Sequence, residues 1–252
     1  MTLVLLTALG VGGATVIGAV TGFLFRKISH GFSDIIMGFA AGIMLSAAVI
    51  GLVLPSLEHG SKPTALIVTV IGIFCGALCL DLINKFVPHL HGPIGKDHQD
   101  GQNSQQLHKV LLFVMAIGIH TLPEGIAAGV SFGTENVTDA ILVSGGIALQ
   151  NIPEGMVIIA PMLAAGVKPL RTFLIASLTG LIEVVGTFIG FFAVSISAFI
   201  LPFALAFAGG TMIYVVSQEM IPETHAHGSQ RGATYALLAG FCIMIGMDYL
   251  LG

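Results

Sequence analysis

A chain of 252 residues that is 55% hydrophobic and only 9% charged, with a mean hydropathy of +0.98, cannot cover a water-soluble domain of that size with polar surface. Its net charge of −4 is too small to set a class of partner, and a nucleic acid is not expected as one. Three cysteines, Cys75, Cys79 and Cys242, all lie inside apolar blocks and read as packing residues, not as a disulfide framework.

The apolar residues stand in eight long blocks. In chain order they run Leu3–Phe25, Ile35–Leu57, Ala65–Val87, Val110–Phe132, Ala140–Leu163, Phe173–Val194, Phe199–Ile221 and Ala233–Leu251. At about 1.5 Å per residue, each can cross a hydrocarbon core of about 30 Å as a helix. The first block has its basic pair, Arg26-Lys27, behind it and lacks a small-residue cleavage site. That order is wrong for a cleaved signal peptide, so it reads as a retained span. The longest loop, residues 88–109, is polar, rich in Gly and His, and expected to lack fixed structure. The other loops are short. The expected fold is therefore an all-α membrane protein, eight transmembrane helices in one bundle forming a single domain over residues 1–252.

With eight spans the loops alternate between sides. One side receives Arg26, Lys27, Lys85, Lys96, Lys109, Lys168, Arg171 and Arg231; the other receives only Lys62. Basic loops stay in the cytoplasm, so both termini are expected outside, in a bacterial-type plasma membrane, and the 88–109 loop inside. A short internal repeat accompanies this. Phe39-Ala40-Ala41-Gly42-Ile43-Met44, then Leu54-Pro55, matches Phe207-Ala208-Gly209-Gly210-Thr211-Met212, then Ile221-Pro222. The two segments cross in opposite directions, which predicts an inverted-topology repeat relating spans 1–3 to spans 6–8.

The chemistry is concentrated in spans four to six. The fourth reads His120-Thr121-Leu122-Pro123-Glu124-Gly125, the fifth Gln150-Asn151-Ile152-Pro153-Glu154-Gly155, and the sixth carries Glu183. A carboxylate at mid-membrane costs roughly 2.5 to 3.5 kcal/mol on insertion scales. Three of them near one depth need neutralising, and every Lys and Arg sits at a span end or in a loop. Protons or a bound cation must do it. Residues i and i+4 share a helix face, so His120 points with Glu124 and Gln150 with Glu154. Pro123 and Pro153 free the carbonyls of Ile119 and Leu149 beside those side chains. One imidazole among carboxylate and amide oxygens suits Zn²⁺, Fe²⁺, Mn²⁺ or Cd²⁺, whereas Cu⁺ would want sulfur, and Ca²⁺ or Mg²⁺ oxygen alone. The bland alternative is that these groups only tie helices together by hydrogen bonds.

These residues resemble the Zrt/Irt-like (ZIP) family of metal transporters, whose fourth and fifth spans carry related Pro-Glu-Gly motifs, here HTLPEG and QNIPEG. The resemblance covers the whole chain and is nearest to the prokaryotic branch. It implies uptake of a divalent metal, zinc first, as substrate. It also implies a principal site of His120, Glu124 and Glu154, and a second site of Gln150, Asn151 and Glu183 with Glu124 and Glu154 bridging. Thr121 replaces an Asn usual in the fourth span, and Val184 a Pro that often follows the sixth-span Glu; neutral Thr121, Asn151 and Gln150 make the second site the weaker. Homodimers, and movement of spans 1, 4, 5 and 6 against spans 2, 3, 7 and 8, are further implications.

Polar residues at span ends are candidates for the route. Glu58, with His59, Glu135 and Asp139, lies at the outer ends. At the inner face His89, His91, His98 and His108 share the long loop, and Glu223, His225 and His227 follow the seventh span. Asp81 and Glu219 near inner span ends are candidates to line an exit. Two other functions compete. An intramembrane metal-dependent hydrolase would also bury His and Glu, but no His-Glu-x-x-His pair is present. A proton-linked carrier of organic solutes would need a larger, less acidic cavity.

Overall fold

The computed structural model describes residues 1–25, 29–90, 103–134, 136–196 and 198–251, with backbone alone for 86–90, 103–113, 116, 196 and 198. Eight long helices account for nearly all of them. These are α1 (Thr2–Leu24), α2 (His30–Ser56), α3 (Lys62–Leu90), α4 (Asn103–Val130), α5 (Val137–Ala164), α6 (Pro169–Ile196), α7 (Leu201–His225) and α8 (Gln230–Leu251). No strand occurs among the described residues. Each helix falls on one predicted apolar block. Those flanking the long loop extend into it, so residues 88–90 and 103–109 are helical; residues 91–102, with His91 and His98, lie outside the described residues. Seven of the eight helices are long and apolar enough to span a membrane over their described residues.

Side-chain chemistry sets the helix ends. Ser29 opens α2 by accepting the Phe32 N–H at 3.3 Å, and Asn136 opens α5 by accepting the Thr138 N–H at 3.0 Å. Outward faces are apolar: Leu6 and Ile17 on α1, Leu66 and Phe74 on α3, Leu178 and Ile189 on α6 are all exposed, as a hydrocarbon solvent requires.

Packing separates the helices into two groups. α1 lies on α5 and α6, and α4 on α6 and α5; α2 lies on α8, and α3 on α7. Between the groups, α2 meets α5 and α4 meets α7. This pattern maps onto itself when α1 exchanges with α6, α2 with α7, α3 with α8 and α4 with α5, which is the inverted repeat. The repeat is deeper than the sequence match suggested. Ala8, Gly12, Gly18 and Gly22 on α1 correspond to Ala176, Gly180, Gly186 and Gly190 on α6, each pair 168 positions apart. Gly12 and Gly180 face each other so closely that a Cβ on either would strike the other's carbonyl.

One feature of both repeats was not anticipated. α2 widens into a π-helical stretch at Ala47–Val53 and α7 at Val216–Met220, each just before Pro55 or Pro222. A proline has no N–H for the carbonyl four residues earlier, and wider turns are one way a helix absorbs that loss.

Candidate metal centre

The site is built by α4 and α5, symmetry partners that cross at the heart of the bundle. Pro123 and Pro153 sit inside continuous helices, so each polar residue before them and each glutamate after them stays on one face. The glycines that close the two motifs let other helices in. A Cβ at Gly125 would collide with the Glu183 backbone on α6, and one at Gly155 with the Thr15 carbonyl on α1. The same motif therefore supplies the ligand and brings the neighbouring helix against it.

His120, Glu124 and Glu154 converge. One ligand atom from each lies within 4.8 Å of the others, and all three side chains are buried. His120 Nε2 stands 3.8 Å from Glu154 Oε2. Two atoms bound about 2.1 Å from one ion lie roughly 3 to 4 Å apart, so the spacing fits a metal between them. Gln150 Nε2 donates to Glu124 Oε1 at 2.9 Å. Four oxygens here have no hydrogen-bond partner among the described residues: Glu124 Oε2, Glu154 Oε1, Gln150 Oε1 and Asn151 Oδ1. Orphaned buried acceptors are costly, and no described lysine or arginine pairs with these carboxylates. A divalent cation fits this donor set: it would neutralise the charge and take up the free oxygens.

The other predicted ligands separate from this cluster. Glu183, fully buried, accepts from Thr15 Oγ1 at 2.8 Å and from Asn151 Nδ2 at 2.5 Å; Asn151 Nδ2 also reaches the Val11 carbonyl at 3.1 Å. These bonds knit α1, α5 and α6 together. Thr121 is buried nearby, but its hydroxyl donates along its own helix to the Ile117 carbonyl at 2.5 Å. Thr15 was missed in the sequence, where it is one of four threonines spread along an apolar span and draws no notice. Its repeat position was the available signal, because Thr15 stands where Glu183 stands in α6.

A cavity of about 360 Å³ leads from His120 to the end of the bundle where α7 meets α8, passing Glu219 and reaching Pro222 and Glu223. Glu219 does more than line it. Its Oε2 lies 3.3 Å from His120 Nδ1, and its Oε1 accepts from Asn84 Nδ2 at 2.7 Å. Asp81 is instead engaged by Lys85 at 2.5 Å and by the Tyr214 hydroxyl at 2.9 Å. His225 spends its nitrogens locally, Nδ1 on the Ile221 carbonyl at 2.8 Å and Nε2 on Thr234 at 3.3 Å. Buried Asp34, which the sequence reading passed over, holds His227 Nδ1 at 3.1 Å. At the opposite end Glu58 is exposed, and Asp139 lies within electrostatic reach of it and of Asp248. The side chain of His89, and His91 and Glu135 entirely, lie outside the described residues.

Comparison with known proteins bears on this arrangement. The family model described as ZIP zinc transporter matches residues 87–248. Zinc transporter GufA of Myxococcus xanthus is 36% identical over 98% of both chains. Zinc transporter ZIPB of Bordetella bronchiseptica is 38% identical over 95% of this chain and 78% of its own. Zinc transporter ZupT of Chlorobaculum parvum is 33% identical over 92% and 91%. These relatives are named as transporters, not enzymes, which leaves the intramembrane hydrolase without support. Eight long helices, seven of them apolar enough to cross a membrane over their described residues, a buried His and Glu cluster at their centre and this likeness along nearly the whole length lead to one assignment: the chain is a membrane protein of the ZIP zinc transporter family.

Proposed function

We propose that this protein takes up divalent transition-metal ions, zinc first, into the cytoplasm through a site of His120, Glu124 and Glu154. The observation that carries the reading is that cluster: three buried ligand groups, the two carboxylates each with an orphaned oxygen, and no lysine or arginine among the described residues paired with them. Iron, manganese and cadmium suit the same donors and are proposed as further substrates. The cavity gives His120 a route toward the α7–α8 end, while Ile147 and Val143, one and two turns before Gln150 on α5, are buried with Ile43 and Met44 in a packed apolar layer. That asymmetry describes a cargo site open to one side. The excess of basic residues at the α7–α8 end supports assigning that side to the cytoplasm, with both termini outside in a bacterial-type plasma membrane.

The second metal position is proposed around Glu183 and Asn151, with Gln150 and the two glutamates between the sites. Glu183 would have to exchange its bonds to Thr15 and Asn151 for a metal, which makes this the weaker position. Thr121 would contribute only by turning away from Ile117. Movement of α1, α4, α5 and α6 as one unit agrees with the way the helices divide by packing. A homodimer is also proposed; α3 and α8 keep largely uncovered apolar faces that a second copy could occupy. Purified protein in sealed liposomes tests the function. It should give saturable zinc uptake, inhibited by cadmium and absent in Glu124→Ala. Uptake equal to that of protein-free liposomes would overturn the proposal.

A further inference from the structure

Glu219 touches the one imidazole of the cluster from outside it. His120 lies between two carboxylates, Glu154 at Nε2 and Glu219 at Nδ1. The two ring nitrogens diverge, so an ion bound at Nε2 beside Glu154 is beyond the reach of Glu219. The Glu219 carboxylate is itself fixed, its second oxygen accepting from Asn84. Glu219 is on α7 and Asn84 on α3, both in the helix group that does not supply the cargo ligands.

We infer that Glu219 is a positioning residue for His120: held by Asn84, its carboxylate takes the Nδ1–H of the imidazole and aims Nε2 at the cargo ion. This rests on the proposed cargo site. Without that bond the ring is free to rotate and offer either nitrogen. With it, one tautomer and one orientation are set before the ion arrives, as with the carboxylates that back metal-bound histidines in general. The contact crosses between the two helix groups, so the orientation of the ligand depends on their relative position.

The test is zinc affinity of the purified full-length protein, measured by competition with a chromogenic chelator, in a double-mutant cycle. Glu219→Ala is expected to weaken zinc binding about 10- to 100-fold, the usual effect of losing such a partner, and Asn84→Ala to weaken it less. Glu219→Gln keeps an oxygen for Nδ1–H, and its amide can donate to a turned Asn84, so it should recover most of the affinity. This variant guards against misfolding of the alanine form. In a His120→Ala background, Glu219→Ala should change affinity by no more than about twofold, since no ring remains to position. Unchanged affinity in Glu219→Ala, while His120→Ala is weakened, would overturn the inference and leave the cargo site standing. So would a full-sized Glu219→Ala effect in the His120→Ala background, which would make Glu219 a direct ligand. Unchanged affinity in His120→Ala itself would overturn the cargo site.

Discussion

Removal of Glu154 gives a prediction with opposite signs for the metal-free and the zinc-loaded protein. Its Oε2 is 3.8 Å from His120 Nε2, and its Oε1 has no partner. Without zinc, Glu154→Ala loses no hydrogen bond at Oε1 and only the long 3.8 Å contact to His120 at Oε2, and it relieves the like-charge contact with Glu124, so thermal stability should hold or rise. With zinc, only His120 and Glu124 remain, and Gln150 offers a neutral amide already donating to Glu124. Loss of one of three strong ligands should weaken binding at least about 100-fold, or about 2.7 kcal/mol. A ligand that binds only the folded state stabilises by RT ln(1 + [L]/Kd). At free zinc of about 100 times the wild-type Kd, wild type gains about 2.7 kcal/mol; the variant, at about its own Kd, gains ~0.4 kcal/mol. The assay is thermal unfolding of the purified protein with and without zinc. A zinc-dependent rise in Tm of wild-type size in Glu154→Ala would refute the reasoning, because Glu154 would then be no ligand.

Further outcomes follow from the same geometry. Metal and protons compete for His120, Glu124 and Glu154, and binding must release protons, so apparent zinc affinity should weaken as pH falls from about 7.5 to about 5.5; a flat titration would contradict this. Glu183→Gln should slow zinc uptake yet leave a measurable fraction with one metal bound, because Glu183 is tied to Thr15 and Asn151 while the other cluster is intact. A dead Glu183→Gln beside an active Glu154→Ala would reverse the ranking of the two positions. Ser104→Cys should resist an impermeant thiol reagent in intact cells and react after permeabilisation; labelling from outside would invert the orientation.

The spans were legible because a hydrocarbon solvent imposes one requirement on them all, some twenty apolar residues in a row, whatever their packing. His120, Glu124, Gln150 and Glu154 were legible for the complementary reason, that polar groups in such a row demand an explanation. The missing parts depend on which helices meet. Thr15 becomes the partner of Glu183 only because glycines bring α1 against α6. Asn84 drew no notice in the sequence and Glu219 only as a candidate to line an exit; α3, α7 and α4 place them in a line ending at His120. Thr121 shows a different limit: its hydroxyl, expected at the second site, donates here to the nearer Ile117 carbonyl, a choice the sequence does not reveal. The π-helical stretches were beyond reach because a proline reveals a lost hydrogen bond but not the path the backbone takes around it.

The central claim is that zinc is held by the imidazole of His120 and the carboxylates of Glu124 and Glu154. Zinc K-edge X-ray absorption on protein loaded with one equivalent of zinc tests it most directly. The account predicts a shell of nitrogen and oxygen at about 2.0 to 2.2 Å, no sulfur, and the outer-shell scattering of a single imidazole, which His120→Ala abolishes. A sulfur shell near about 2.3 Å, or imidazole scattering that survives in His120→Ala, would place the zinc elsewhere and contradict the account.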